Sequence, residues 1–252
     1  MDSDVGRPVR AARVHRLRDP RAVAEAAARF VASTMESVIA TAGKCRLALS
    51  GGNTPRATYE RLAEPDLSAQ IAWSTVEVFF GDERMVPPTD PASNSRMARE
   101  ALLDRVPLRA SNVHRIEGEL EPSVAAEKYA HELGTEPLDV VLLGMGDDGH
   151  VASLFPGSAE LLRTDRAVLT SHAPVAPHDR VSLALPVINA ARVVALLVTG
   201  ESKAARVAEV FLERASGAAR LPAARVAPRR GELHWFLDAA ARSVLEAETK
   251  EK

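Results

Sequence analysis

The chain has 252 residues and a formal net charge of −2, with 46% hydrophobic and 26% charged residues, as in ordinary globular domains. This composition excludes an intrinsically disordered chain and a collagen-like repeat, and the single cysteine excludes an intrachain disulfide and a multi-cysteine metal site. The balance of 32 basic and 34 acidic residues also lacks the positive surplus of a dedicated nucleic-acid binder, so no nucleic-acid partner is expected.

The amino terminus carries no sign of a targeting segment. Residues 1–8 include two acids and lack the apolar core that a signal peptide needs. No run in the sequence approaches the roughly 18 uncharged apolar residues at which a membrane span is expected. We therefore expect a cytoplasmic protein without a membrane partner.

Short apolar runs then alternate with stretches of helical spacing. The runs are rich in Val and Leu and predict buried strands at residues 46–49, 76–80, 140–143, 181–185, 193–199 and 234–237, with a weaker strand within 9–17. Helices are predicted after the caps Asp19-Pro20 and Thr54-Pro55 and over residues 95–104, 122–133, 201–214 and 238–248. Residues 215–230 are rich in Ala and Arg and contain two prolines, which predicts a loop.

The alternation of strands and helices predicts the fold class. It implies crossover connections, and hence a mostly parallel, twisted sheet with helices on both faces. No linker or repeat divides the chain, so residues 1–252 are predicted to form a single α/β domain. Ligands of such open sheets bind beyond the carboxyl ends of the strands, and site residues are therefore expected directly after the apolar runs.

Residues 50–55, with the sequence Ser-Gly-Gly-Asn-Thr-Pro, follow the strand at 46–49 and lead into a helix. Gly51 and Gly52 free the backbone to turn, and the N–H groups at the start of the helix would face the loop. These features predict a cradle for a phosphate group formed by Ser50, Gly51 and Gly52. They are also typical of a tight turn with a good helix cap, and the loop alone leaves both interpretations open.

Two basic residues follow other predicted strands. Arg84 ends the charged segment at 81–84, and its guanidinium could fork onto a phosphate or a carboxylate. Lys203 lies in the first turn of a predicted helix, where its charge opposes the helix dipole and a bound anion would explain it. Either residue could equally be a solvated surface charge. Asn94 precedes the next helix and is interpreted as its cap.

The most informative segment is residues 144–156, in which three glycines and two aspartates surround His150. Histidine suits proton transfer near neutrality, and Asp148 is spaced to fix the tautomer of His150 and stabilise its imidazolium. The segment also satisfies G-x-G-x-x-G, but its two aspartates would repel a pyrophosphate and Pro156 would break the helix that should follow, so we reject a dinucleotide site. The other interpretation is a surface histidine in a turn.

Taken together, these segments resemble 6-phosphogluconolactonases, which share a fold with glucosamine-6-phosphate deaminase/isomerase. The matching residues are 49–55, 80–84, 93–99, 144–156 and 199–203, in the order found in that family, followed by a segment at 231–238 that resembles its last strand. One segment alone is weakly specific, but all of them in order are strongly specific. The resemblance implies a Rossmann-like fold and hydrolysis of 6-phospho-D-glucono-1,5-lactone to 6-phospho-D-gluconate in the oxidative pentose phosphate pathway.

The resemblance also implies roles for individual residues. His150 matches the general base of the family and Asp148 its supporting carboxylate. Arg84 and Lys203 match the basic groups around the phosphate and the reacting centre, with Arg84 the expected partner of the oxyanion, and residues 50–52 match the phosphate loop. No metal or cofactor is expected, because a lactone is an activated ester. The expected partner is a small sugar-phosphate lactone, and the chain is expected to be a monomer or a weak homo-oligomer.

Two other functions stay open. The first is a deaminase/isomerase, whose known members have a tyrosine at the position of Arg84 and a glutamate at the position of Phe155. That glutamate assists opening of the sugar ring, and the side chain of Phe155 has no proton to donate in its place. The second possibility is a sugar-phosphate sensor without turnover. Sensors of this fold carry an additional DNA-binding domain, whereas the α/β pattern takes up the 252 residues here.

Overall fold

The structure, a computed structural model, describes residues 12–250. Residues 1–8 and the first positions of the strand predicted within 9–17 lie outside the described residues. The strands are β1 (Arg13–Arg16), β2 (Cys45–Leu49), β3 (Val76–Phe80), β4 (Asp82–Arg84), β5 (Val140–Leu143), β6 (Val168–His172), β7 (Asp179–Leu183), β8 (Val193–Val198) and β9 (Glu232–Leu237). The helices are α1 (Pro20–Ala42), α2 (Asn53–Leu62), α3 (Pro65–Ser68), α4 (Asn94–Ala101), α5 (Pro122–Leu133), α6 (Leu185–Ala190), α7 (Ala204–Ser216), α8 (Pro222–Arg225) and α9 (Ser243–Lys250).

Six strands form a parallel sheet in the order β1-β9-β8-β5-β2-β3. The central strands β2, β5 and β8 are buried along their whole length, as expected of parallel strands covered on both faces. The register places Leu49 beside Phe80, so β2 and β3 end together and the loops after them start side by side. The prediction of an α/β fold with a mostly parallel sheet is confirmed.

The first helix begins and ends where its sequence predicts. The Asp19 side chain accepts a hydrogen bond from Ala22 N–H at 2.7 Å, and Pro20 occupies the first turn. The helix stops at Gly43, which has a left-handed φ of 76°. Its apolar face, which includes Val31 and Met35, is buried in the core.

Other helix boundaries differ from the prediction by a few residues. α2 begins at Asn53, and Gly52 rather than Thr54 caps it. Residues 201–203 form a 3-10 turn before α7. α9 starts only at Ser243, because the Asp238 carboxylate accepts the Ala241 N–H at 2.7 Å and holds a turn there. The predicted loop at 215–230 contains the short helix α8.

A second, antiparallel sheet has the strand order β4-β7-β6. The apolar run predicted at 181–185 forms β7 of this sheet rather than a further parallel strand. β4 was not predicted, because three charged residues resemble a loop. It follows β3 after one residue and therefore lies at the edge where the parallel strands end. Buried residues of both sheets belong to one contiguous apolar core.

Candidate active site

Loops after the parallel strands surround a pocket of about 360 Å³, and β4 forms part of its wall. The pocket brings together all but one of the site residues predicted from the sequence, namely Ser50, Gly51, Gly52, Arg84, His150 and Lys203. The remaining predicted residue, Asp148, lies behind His150 and does not line the pocket. The other lining residues are Asn53, Thr54, Pro55, Asp82, Asn94, Gly144, Met145, Gly146, Ala152, Leu197, Val198 and Thr199.

The loop at residues 50–52 is held in a fixed shape. The Tyr59 hydroxyl accepts a hydrogen bond from Ser50 N–H at 2.8 Å and donates one to the Ser50 carbonyl at 2.9 Å. A Cβ at Gly51 would lie 2.0 Å from Asn94 Oδ1, so only glycine allows this close approach. Gly52 has a left-handed φ of 107°, which turns the chain into α2.

The start of α2 has the features of an anion site. Gly52 caps the helix without a side-chain hydrogen bond, and the first helical bond runs from Arg56 N–H to the Gly52 carbonyl. The N–H groups of Asn53 and Thr54 precede that bond and have no acceptor within the helix. Ser50 lines the same pocket, and its hydroxyl oxygen is buried without a hydrogen-bond partner among residues 12–250. An anionic oxygen here would receive these donors and the positive end of the helix dipole.

His150 and Asp148 form a hydrogen-bonded pair in the loop after β5. Asp148 Oδ1 lies 2.6 Å from His150 Nδ1 and accepts the His150 backbone N–H at 3.0 Å. Burial raises the pKa of Asp148, but these hydrogen bonds outweigh it and lower the pKa to about 2. Because the carboxylate only accepts, Nδ1 carries the ring proton and Nε2 keeps a free lone pair. The pair therefore supplies a proton acceptor to the pocket.

Two neighbours fix the orientation of the His150 ring. A Cβ at Gly146 would lie 2.1 Å from His150 Nδ1, so the ring packs directly on a backbone that only glycine leaves open. The Gly146 N–H also donates to the His150 carbonyl at 2.9 Å. On another side, the Phe155 ring lies 4.9 Å from the imidazole, centroid to centroid. The histidine is thus positioned by its own loop.

A buried polar network ties the His150 loop to the small sheet. Ser153 Oγ donates to Asp82 Oδ2 at 2.7 Å, and Asn94 Nδ2 donates to Asp82 Oδ1 at 3.2 Å. The Ser182 hydroxyl accepts the Ser153 N–H at 3.2 Å. Asp82 and Asn94 also line the pocket, although neither was predicted from the sequence to do so. Ala152, which lies between His150 and Ser153 in the sequence, has a left-handed φ of 49°, an unusual conformation for a residue other than glycine.

Glu83 organises the start of α4 instead of facing the pocket. Its carboxylate accepts hydrogen bonds from Arg84 N–H, Asn94 N–H and Ser95 N–H at 2.7 to 2.8 Å, and from the Ser93 hydroxyl at 3.0 Å. Burial raises the pKa of Glu83, and the backbone donors oppose that rise. The helix cap is Ser93, so the interpretation of Asn94 as a cap is wrong.

The two predicted basic residues reach the pocket from different elements. Lys203 is at the amino-terminal end of α7, and its Nζ lies 2.8 Å from Asp147 Oδ1. Hydrogen bonds from Lys203 and Ser202 lower the pKa of Asp147. This ion pair gives Lys203 a partner even without a bound anion. Arg84 comes from β4, and its Nη1 donates to the Ala92 carbonyl.

One further hydrogen-bonded pair in the pocket could not be predicted from the sequence. Thr54 Oγ1 and Thr199 Oγ1 share a hydrogen bond of 2.7 Å, which joins the loop after β2 to the loop after β8. Within the described residues, no cluster of three or more His, Cys, Asp or Glu side chains could hold a metal ion. In the same part of the chain, no helix has the length and apolar character to cross a membrane.

Comparison with known proteins places this chain among sugar-phosphate enzymes. A family model described as glucosamine-6-phosphate isomerases/6-phosphogluconolactonase matches residues 18–235. The 6-phosphogluconolactonase of Nostoc sp. PCC 7120 is 40% identical over 84% of this chain and 89% of its own length. That of Streptomyces coelicolor is 38% identical over 90% of this chain and 92% of its own.

Solved structures agree with the sequence comparison. The 6-phosphogluconolactonase of Thermotoga maritima has a TM-score of 0.81 and 30% identity, covering 90% of this chain and 100% of its own. A monomeric glucosamine-6-phosphate deaminase has a TM-score of 0.77 at 21% identity, covering 92% of this chain and 99% of its own. At that identity the deaminase shares the fold alone.

Proposed function

Because the chain belongs to the glucosamine-6-phosphate isomerase/6-phosphogluconolactonase family, we propose that it hydrolyses 6-phospho-D-glucono-1,5-lactone to 6-phospho-D-gluconate in the oxidative pentose phosphate pathway. One observation carries the choice of reaction. His150, oriented by Asp148 with Nδ1 and Oδ1 2.6 Å apart, lines the same pocket as the start of α2, whose backbone donors suit an anion. A phosphorylated ester that needs one proton acceptor fits both features.

The phosphate group would be held at the start of α2. The N–H groups there, the Ser50 hydroxyl and the Gly51–Gly52 backbone surround one anionic position, and Lys203 adds a positive charge. Fixing the phosphate at one end of the sugar places the lactone carbonyl at a set distance from His150. Such positioning converts an encounter with water into a reaction within one complex.

The reaction then needs one general base and one oxyanion partner. His150 Nε2 accepts a proton from a water molecule as the water oxygen bonds to C1 of the lactone. The electron pair of the carbonyl moves to its oxygen, and the Arg84 guanidinium pairs with that charge. When the tetrahedral intermediate collapses, the bond from C1 to the ring oxygen breaks and the His150 imidazolium gives its proton to that oxygen. Asp148 stabilises the imidazolium throughout.

The lining favours the lactonase over the deaminase reaction. Opening an aminosugar ring requires an additional proton donor beside the histidine, and Phe155 occupies that neighbourhood with its ring 4.9 Å away. Arg84 offers a guanidinium, a group that suits charge stabilisation rather than proton transfer.

Hydrolysis of freshly made lactone tests the proposal. Glucose-6-phosphate dehydrogenase generates the lactone in place, and 6-phosphogluconate dehydrogenase reports the acid as it forms. We expect the protein to accelerate acid formation far above the spontaneous rate. A folded protein that binds 6-phosphogluconate without acceleration would instead be a sensor, and release of ammonia from glucosamine 6-phosphate would indicate the deaminase.

Three further expectations from the sequence stay predictions. We propose that residues 1–252 form one domain, which the contiguous core supports, and that the chain is a monomer or a weak homo-oligomer in the cytoplasm. Light scattering after size exclusion measures the oligomeric state, and fractionation of the source cells measures the location.

A further inference from the structure

Arg180 on β7 is a buried cation without a partner. It is 7% exposed, and its Nε atom is buried without a hydrogen bond. Among residues 12–250, no acceptor or carboxylate pairs with its guanidinium. The other arginine of the described chain that is buried to this degree, Arg46, differs. It is 3% exposed and its Nε also lacks a hydrogen bond, but its guanidinium donates to the Leu133 carbonyl at 2.6 Å and lies 3.4 Å from Glu77.

The register of the small sheet places this cation beside the pocket. Arg180 pairs directly with Arg84 across the β4–β7 ladder, and Ser182 pairs with Asp82. Directly opposed residues of an antiparallel pair point to the same face, with Cβ atoms roughly 5 Å apart. Arg84 and Asp82 line the pocket, so Arg180 lies beside Arg84 on the same face of the ladder, although it does not itself line the pocket.

The nearby carboxylates are already occupied. Both oxygens of Asp82 accept hydrogen bonds, from Ser153 and Asn94, and Glu83 accepts from the start of α4. Burial and the charge of Arg84 lower the pKa of Arg180, against the opposing effect of Asp82 and Glu83. A buried charge without a counter-ion costs free energy of folding, so its position calls for a reason other than stability.

We propose that Arg180 is a positioning residue for Arg84. Its charge keeps the Arg84 guanidinium from folding back over β7, and so holds it on the pocket side, where it meets an anionic oxygen of the ligand. The inference rests on the proposed function and adds that Arg180, acting through Arg84, increases the affinity of the pocket for the sugar-phosphate ligand. The two guanidinium groups add positive charge to this face of the small sheet, which Asp82 and Glu83 offset in part and a bound anion would offset further.

A double-mutant cycle between Arg84 and Arg180 tests this coupling. Calorimetry would measure the dissociation constants of 6-phosphogluconate and, in parallel, inorganic phosphate. We expect Arg180→Met to weaken 6-phosphogluconate binding about tenfold in the wild-type background, the size expected for one charge acting through a neighbour. In an Arg84→Gln background the same change should alter affinity by less than about twofold. Arg180→Lys, which keeps the charge, should retain most of the affinity.

Stability separates positioning from packing. Removing an unpaired buried charge should leave the melting temperature of Arg180→Met equal to or above that of wild type. The matched control is Arg214→Met, which loses hydrogen bonds to the Ala224 and Val226 carbonyls and should lower the melting temperature without changing affinity.

Three results would overturn the inference: unchanged affinity in Arg180→Met, equal loss in Arg180→Lys, or additive effects with Arg84→Gln. Should Arg180→Met fail to fold, Arg180→Lys and Arg180→Gln supply the same comparison. Failure of the proposed function looks different, because the wild type would then not hydrolyse the lactone. The cycle with 6-phosphogluconate would still report whether Arg180 acts through Arg84, and inorganic phosphate, assigned to the start of α2, should bind the wild type and Arg180→Met equally.

Discussion

Replacing Asp148 with asparagine isolates how the site controls the proton on His150. The carboxylate accepts from His150 Nδ1 at 2.6 Å and so leaves Nε2 free to receive a proton. An asparagine of the same shape can donate its amide hydrogen to Nδ1, which moves the ring proton to Nε2. The histidine would stay in place but face the pocket with the wrong tautomer.

The size of the effect follows from the pKa of Asp148. Burial raises this pKa, yet the hydrogen bonds from His150 lower it from 3.8 to about 2. That difference corresponds to about 2–3 kcal/mol, which solvent screening of a 41% exposed side chain reduces to about 1–2 kcal/mol. The carboxylate attracts most strongly the imidazolium that forms as His150 accepts its proton, so losing an attraction of that size slows turnover about five- to thirtyfold. The wrong tautomer extends the loss toward the 10²–10⁴-fold range, about what general acid–base help contributes.

The coupled lactone assay measures kcat and KM for this variant. We expect kcat to fall by at least about tenfold and KM to change little, because Asp148 does not line the pocket. Asp165→Asn is the control, since Arg163 holds the pKa of Asp165 at about 2 as well, and neither residue lines the pocket or contacts His150. Turnover of Asp148→Asn within about twofold of wild type would refute the assigned role of the carboxylate.

Two other predictions concern packing and pH. Gly51→Ala should weaken binding of 6-phosphogluconate and lower stability by about 1–3 kcal/mol, because its Cβ would displace Asn94, whereas Gly144→Ala, with no atom nearer than 3.8 Å, should be tolerated. Equal effects of the two changes on calorimetric affinity and thermal unfolding would contradict this. Burial lowers the pKa values of His15 and His234 below 6.5, so the unfolded chain binds more protons and stability falls as the pH drops below that value. Urea unfolding from about pH 7.5 to about pH 5 measures the slope, which His234→Gln should reduce; a stability that rises on acidification would be inconsistent with it.

The parallel sheet could be predicted because its signal is local. Each central strand is a short apolar run, and such a run is the sequence pattern of a strand that is buried on both faces. The small sheet could not be predicted as a unit. β4 consists of three charged residues, and it is a strand only because β7, about a hundred positions later, pairs with it. An apolar run such as β7 carries no information about which sheet it joins.

The site divides in the same way. Asp148 and His150 are two positions apart, so their pairing could be read from spacing. The Ser153–Asp82 bond joins residues 71 positions apart, and the Thr54–Thr199 bond spans 145. The role of Arg180 could not be predicted from neighbouring residues, because its lack of a hydrogen-bond or ion-pair partner is visible only in the folded structure. Contacts between distant segments depend on the fold, so they could not be predicted from this one sequence by local patterns.

Comparison of the wild type with His150→Ala tests the central claim most directly. The coupled assay would give lactone hydrolysis above the spontaneous background, and calorimetry the affinity for 6-phosphogluconate. If His150 is the general base, the variant loses about 10²–10⁴-fold in turnover while its affinity stays within a few-fold of wild type. Near-wild-type turnover in His150→Ala would contradict the mechanism.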